Sequence, residues 1–283
     1  MPELPEIETV RLQLSEVLPG RIIERVEVLK QKSFIGDKQL IEGKKVIGVD
    51  RKAKLLLIDI EGQIDLAIHF KMTGQLIYAD KNRRIAGGHP TGDFTGDLPS
   101  KHTRVIFHLD RGTLYFNDQR IFGWVRTGTK EEIRQMKFLQ ELGPEPPEID
   151  EAEFQKILIK IKKPIKLALM DQTRISGVGN IYANDACWEA RINPRRLANT
   201  LTRKQYSDLY NGLIKVLKEG IKYGGATAAD AKYIDLHGLG GHYQEHFRVY
   251  DREGEECLRE DGGIIHKYAM GGRGTYFCPK CQG

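Results

Sequence analysis

The sequence reads as an α+β protein: an N-terminal β-sandwich with flanking helices, a helical second half, and a cysteine-bearing β-hairpin at the C-terminus. Three observations predict this. From about residue 21 to 127, short runs rich in valine, isoleucine, leucine and aromatics alternate with turn signals. After "LGPEPPEID" (142–150) the apolar period changes to that of helices. Of four cysteines, Cys257, Cys278 and Cys281 gather at the end of the chain.

Taken in order, "LPEIETVRLQLSEVL" predicts a helix. Proline suits a first helical turn, Glu3, Glu6 and Glu8 suit the positive end of its dipole, and Ile7, Val10, Leu12, Leu14 and Leu18 recur at helical spacing. The runs "RIIERVEVLK", "KKVIGVDRKAKLLLIDI", "QIDLAIHF", "TRVIFHL" and "TLYFNDQRIFGWVR" predict strands of an antiparallel sandwich or barrel. Residues 78–102 are glycine-rich and polar, and read as a long loop or insertion between strands. Beyond the prolines, "EAEFQKILIKIKKPIKLALMDQ", "NIYANDACWEARI" and "TRKQYSDLYNGLIKVLKEGIKYG" read as helices, the last stopping at Gly224 and Gly225. "HFRVYDREGEEC" and "RGTYFCPKCQG" read as two strand-like pieces around the cysteines.

With 283 residues the chain can bury one large or two ordinary cores, and its net charge of +5 suits a polyanionic partner without demanding one. No run approaches the ~18 apolar residues of a membrane span, and "MPELPE" is unlike a signal peptide; the expectation is a cytoplasmic protein with no membrane partner. Without a secretory signal, metal ligation is a better reading of the cysteines than a disulfide framework. Cys187, among helix-core residues, reads as buried and inert.

In "CPKC" (278–281) the two-residue gap lets two thiolates grip one tetrahedral zinc, and Cys257 lies on what would be the other arm of a hairpin. Position 260, where a fourth thiolate is expected, holds glutamate, so the four-cysteine pattern is broken. A redox pair would need a strand-to-helix setting that is missing here. "GVGNIYANDA" (177–186) passes from glycines into a helix near Asn180, a start that suits an anion. Met72 and Phe122 default to core residues; exposed at loop tips they could wedge into a base stack, with Arg120 beside them.

"MPELPEIETVR", "RKAKLLL" at 51, "HFKMTG" at 69, "NDQRIFG" at 117, "LGPEP" at 142, "MDQTRISGVGNIYAND" at 170 and "GGRGTYFCPKCQ" at 271 together resemble, in order and from first residue to last, the formamidopyrimidine-DNA glycosylase family. The resemblance implies a catalytic β-sandwich (1–130), a linker (131–150), a helix-two-turn-helix domain with a lesion loop (151–245) and a zinc-finger hairpin (246–283). It implies a monomer that binds damaged double-stranded DNA in the cleft between domains, excises oxidised purines and then cuts the strand.

It also implies roles. With Met1 removed, Pro2 presents a secondary amine of pKa about 8, against about 10.4 for lysine, and attacks C1′. Glu3 protonates the opening sugar and shuttles protons, and Lys54 matches the family's essential lysine. Met72, Arg120 and Phe122 fill the space left by the extruded nucleotide, with Arg120 facing the orphaned base. Asn180, Arg273 and His102 contact phosphates. For the zinc, the fourth ligand falls on Glu260 counting forward from Cys257. With the family's sixteen-residue spacing counted back from Cys278 it falls on Asp261, the preferred choice, and His266 stands third.

The sequence departs from the family pattern at Asp185, usually glutamate, and along 224–246, the segment that closes over the extruded base. Two other readings stand beside the first: an endonuclease VIII-like glycosylase for oxidised pyrimidines, and a non-catalytic DNA-binding protein that has kept the scaffold. "PELPE" and Phe122 favour the oxidised-purine branch.

Overall fold

The structure is a computed structural model that describes residues 1–226 and 241–283. The described residues fall into two compact units: Met1–Gln140 with the flanks of Tyr223–His242, and Glu141–Lys222 with Tyr243–Gly283.

In the first unit α1 (Leu4–Ser15) precedes ten strands: β1 (Ile22–Val28), β2 (Phe34–Ile35), β3 (Lys44–Lys52), β4 (Leu55–Ile60), β5 (Ile64–His69), β6 (Gly74–Ala79), β7 (Arg84–Gly88), β8 (Thr103–Leu109), β9 (Thr113–Asp118) and β10 (Trp124–Thr129). Two short helices, α2 (Lys130–Arg134) and α3 (Lys137–Gln140), follow, so the stretch expected as linker begins with helical turns. The strands run in the order β2-β10-β5-β4-β3-β1-β8-β9-β6-β7, antiparallel except for the two-residue β2–β10 pairing. Ile58, Leu66 and Ile68 from one half share an apolar cluster with Leu76, Val105, Phe107 and Phe116 from the other, which makes the sheet a sandwich. Ile7, Val10 and Leu14 of α1 complete that cluster, whereas Leu12, off the stripe, is 45% exposed. A side chain at Gly87 would run into Val10, so glycine there lets β7 lie close to the helix.

Several strand expectations need revision. The run from Lys44 to Ile60 is two strands joined at Ala53 and Lys54, and 113–129 is two strands broken by the loop 119–123. The glycine-rich region 78–102 contains β7, which pairs with β6 in register from Gln75–Gly88 to Ala79–Arg84.

The second unit holds α4 (Glu151–Leu158), α5 (Ile165–Leu169), α6 (Asn180–Glu189), α7 (Arg203–Lys222) and a hairpin of β11 (His266–Met270) and β12 (Arg273–Phe277). Pro164 caps α5 and breaks what the apolar pattern suggested as one helix, because proline cannot continue an α-helical ladder. The helix α7 ends just before Gly224 and Gly225, both at positive φ. "HFRVYDREGEEC" forms no strand: the buried carboxylate of Asp185 accepts the backbone N–H groups of Val249 (3.1 Å) and Tyr250 (3.2 Å) that a neighbouring strand would have used. The β11–β12 turn is Gly271–Gly272, at φ +57° and +72°, the handedness that two-residue hairpins require. No helix among the described residues is long and apolar enough to cross a membrane.

Candidate active site and metal centre

Pro2 and Glu3 lie buried at the start of α1, with Glu3 as its N-cap. The Glu3 N–H donates to Glu6 Oε2 at 2.7 Å, a capping box that fixes the direction in which the terminus leaves the helix. The other Glu6 oxygen accepts the Ala226 N–H at 2.8 Å. Lys54, 5% exposed, sits in the two-residue turn between β3 and β4, where Ala53 adopts φ +50°. That turn is clamped by Arg51, which donates from Nη1 to the Ala53 carbonyl (3.0 Å) and from Nε to Glu8 Oε2 (2.9 Å). Burial of Glu8 opposes its ionisation, but hydrogen bonds from Arg11 and Arg51 outweigh it and hold the carboxyl below its ordinary pKa. The helix bearing Pro2 and Glu3 is thereby tied through an ion pair to the turn bearing Lys54.

Beside that turn, His69 pairs in register with Leu55 and packs its ring against Trp124 and Phe138. Burial, then the charges of Lys71 and Lys54, lower its pKa to about 3. Its Nδ1 accepts the Lys71 N–H at 3.0 Å, so the neutral ring carries its proton on Nε2.

Met72, half-buried, lies in the turn after β5, and Arg120 and Phe122 are exposed in the loop 119–123. The buried Asp118 organises both loops. It accepts from the Thr73 hydroxyl, from the Arg120 N–H (3.2 Å) and, on its other oxygen, from the Gly123 N–H (2.6 Å). Thr73 Oγ1 also accepts the Arg120 N–H at 3.0 Å. The Arg120 guanidinium lies 5.0 Å from the Phe122 ring centroid, and Ile121 between them takes φ +55°, rare for a β-branched residue. Phe122, expected by default in the core, is 49% exposed. His102 meets Asp93 at 2.8 Å, and its carbonyl accepts the Asp118 N–H at 2.9 Å.

In the second unit Asn180 is the first residue of α6, after Gly179. The loop before it is stapled by Gln172, which donates to the Val178 carbonyl (2.8 Å) and accepts the Gly177 N–H (3.0 Å). Gly143 and Pro144 of "LGPEP" bond the same loop through Gln172 and Ser176, and a side chain at Gly143 would strike Arg174. Asn184 donates to the Asn180 carbonyl (2.6 Å) and accepts the Tyr276 N–H of β12 (2.9 Å). Arg273, at the exposed start of β12, follows the glycine turn.

The three cysteines and Asp261 converge, their ligand atoms all within 4.8 Å of one another. Cys257 and Cys281 sulfurs are 3.9 Å apart, and Cys278 Sγ is 3.9 Å from each Asp261 oxygen. Tetrahedral Zn–S bonds of about 2.3 Å imply ligand edges of about 3.8 Å, so the set fits zinc. A side chain at Gly263 would strike Cys278 Sγ and Asp261, so glycine keeps this cradle open. Glu260 is exposed at φ +52°, and His266 is exposed on β11 against Phe277; neither belongs to the cluster. Burial opposes ionisation of Cys257, but N–H donors from the Arg259 backbone and the Trp188 indole reach its sulfur and hold its pKa low. Burial pushes Cys281 up to about 12 against the opposing pull of Arg259. Cys187 is fully buried, its thiol likewise raised to about 12.

Arg51, Thr73, Asp118 and Gln172 lie within the motifs but carry no role legible from the sequence, and Glu8, expected only to suit the helix dipole, also holds Arg51. Of the segment 224–246, residues 227–240 lie outside the described residues.

Residues 1–125 match the Formamidopyrimidine-DNA glycosylase N-terminal domain, 142–232 the Formamidopyrimidine-DNA glycosylase H2TH domain, and 262–283 the zinc finger found in FPG and IleRS. The formamidopyrimidine-DNA glycosylase of Pelotomaculum thermopropionicum is 43% identical, covering 100% of this chain and 99% of its own. Among solved structures, a Lactococcus lactis FPG variant with Fapy-dG-containing DNA superposes with a TM-score of 0.85 at 31% identity, covering 99% of both chains. The wild-type Lactococcus lactis protein with DNA containing an oxidised pyrimidine gives 0.84 at 32% identity, again over 99% of each.

Proposed function

The chain belongs to the formamidopyrimidine-DNA glycosylase family, and from that premise we propose how its own residues excise oxidised purines from duplex DNA and cleave the strand. It is a base-excision repair glycosylase with an abasic-site lyase activity. With Met1 removed, the Pro2 nitrogen attacks C1′; the glycosidic bond breaks and the damaged base leaves with its electron pair. Glu3, beside it, protonates the sugar oxygen as the ring opens. A secondary amine gives an iminium, cationic at any pH, which acidifies the C2′ proton. Loss of that proton expels the 3′ phosphate, and a second elimination expels the 5′ phosphate. Lys54 offers its cation to the damaged nucleotide and its phosphate.

Met72, Arg120 and Phe122 fill the vacated stack, at an unstacking cost of a few kcal/mol that phosphate contacts from His102, Asn180 and Arg273 help offset. Cys257, Asp261, Cys278 and Cys281 would hold one structural zinc, which when bound fixes the hairpin that presents Arg273. The catalytic work falls to residues 1–130 and the grip on DNA to 151–245 and 246–283, in a monomer acting in the cytoplasm at the nucleoid.

The observation that carries this reading is the tie from Glu8 through Arg51 to the Lys54 turn, in a chain matched to its family from end to end. Borohydride trapping tests it. The protein should cross-link to duplexes with 8-oxoguanine opposite cytosine, with the adduct on Pro2. An adduct on Lys54, or none, overturns the assignment. Faster cutting of thymine glycol opposite adenine would favour the oxidised-pyrimidine reading, and an unreactive protein retaining Met1 the binding-only one.

A further inference from the structure

The metal cluster has a neighbour that neither its cysteine spacing nor its ligand set accounts for. Arg259 lies on the loop between Cys257 and Asp261, and its Nη1 donates to Cys281 Sγ at 3.1 Å. Its Nη2 donates to the Glu189 carbonyl at the end of α6, 3.1 Å away, and the guanidinium carbon lies 3.8 Å from the Trp188 ring centroid. Trp188 in turn donates its indole N–H to Cys257 Sγ at 3.4 Å. The guanidinium is thus seated on groups belonging to a helix, and from that seat it reaches a ligand sulfur.

Charge explains why such a seat matters. Three thiolates and one carboxylate around a divalent ion leave two negative charges in excess, in a partly buried site. A carboxylate oxygen is also a harder donor than the thiolate it replaces, so the shell holds zinc less firmly. A cation fixed beforehand against an aromatic face offsets part of that excess, and its hydrogen bond directs the Cys281 sulfur toward the other donors. A lysine could supply the charge but not the planar fork that meets sulfur and carbonyl together.

We propose that Arg259, seated on Trp188 and Glu189, is a positioning residue of the zinc centre, orienting Cys281 and offsetting the charge of the three-cysteine, one-aspartate shell. This rests on the zinc reading of that cluster. Arg259→Met keeps a flexible stem against Trp188 and removes the guanidinium. Chelator competition on the full-length protein should show zinc held about 10–100-fold more weakly in the variant, the range typical of lost outer partners. Arg259→Lys should fall between the two. In the cobalt-substituted proteins the sulfur-to-metal charge-transfer band should shift in Arg259→Met. The metal-free parent and variant should unfold alike, which separates a role toward the metal from one in packing. Zinc affinity within about two-fold of the parent, or a stability loss already complete without metal, overturns the proposal. If Arg259→Met does not fold, Arg259→Gln, neutral but still a donor, decides by the same competition: weaker zinc supports the proposal and unchanged zinc overturns it. A parent that binds no zinc removes the underlying reading, and the proposal with it.

Discussion

The sandwich and the cysteine hairpin hold polar sites by opposite means. Among the described residues, the cluster beneath the Lys54 turn and the Asp118 loop contains twenty-five buried apolar side chains. The cluster beneath the metal site contains six, and two of those are the ligands Cys257 and Cys278. At about 25 cal/mol per Å² of apolar surface, the first holds the sheet that carries its loops without a metal, whereas the second is too small to order a hairpin. The metal does there what hydrophobic burial does in the sandwich, so the two regions should fail under different insults.

Removing zinc is the most severe of these. Structural zinc is worth on the order of 10 kcal/mol in small finger domains, so stripping it, or Cys278→Ala, should release the β11–β12 amides to fast hydrogen exchange. The β4 and β5 amides should stay protected, and loss of protection in both hairpin and sheet would mean that the two regions are stabilised alike.

Acid should separate the regions next. His69 has its pKa lowered to about 3 in the fold; the stability it contributes is present above about 6.5 and is lost as pH falls below that value. Asp185 is raised to about 6, chiefly by burial and against the backbone N–H groups it accepts. Its contribution is full below about 3.8 and is lost as pH rises through 6. Between pH 7 and 4.5 the sandwich should therefore weaken by about 2–3 kcal/mol while the second unit gains a similar amount, as read by hydrogen exchange in each. His69→Phe should flatten the first slope and Asp185→Asn the second; slopes of one sign in both units would refute the assignment.

Arg51→Met sharpens the comparison within the sandwich, where the core is expected to survive and only the link to the Lys54 turn to loosen. Single-turnover excision should fall about 10–100-fold while affinity for damaged duplex and zinc content hold, since a small misplacement of reacting groups is costly. Equal activity would mean that the sheet alone places Lys54. The smallest effect is expected of Asp118→Asn, which turns an amide toward three donors. It should lower stability by about 1.5 kcal/mol and relax discrimination of the base opposite the lesion, measured by melting and by excision across the four opposite bases.

Much of this architecture was legible because its signals are local. The stripe Ile7, Val10, Leu14, the β-branched runs and the CPKC spacing each announce an element by themselves. Contacts distant in sequence left no such trace: Arg51 meets Glu8 across 43 positions, and Thr73 meets Asp118 across 45. Turns at Ala53 and Ile121 were hidden too, since nothing in an alanine or isoleucine forecasts a positive φ. "HFRVYDREGEEC" misled for the converse reason: its composition suits a strand, but its N–H groups are taken by Asp185. Asp261 could be chosen over Glu260 by counting, yet nothing in the sequence forecasts the left-handed turn at Glu260 that precedes it.

One consequence of α6 concerns its field. The helix has no acidic residue in its first turn and no basic one in its last, so its own sequence leaves the macrodipole unanswered. At the negative pole Glu189 worsens matters, and cations from elsewhere correct it: Arg248 at 2.8 Å and Lys215 at 2.9 Å on its carboxylate, Arg259 on its carbonyl. The positive pole, of roughly half a charge, begins at Asn180, where the cap residue Gly179 has no side chain to offer. The charges that balance this helix thus come from residues distant in sequence, so its dipole is answered by the fold and not by its own segment.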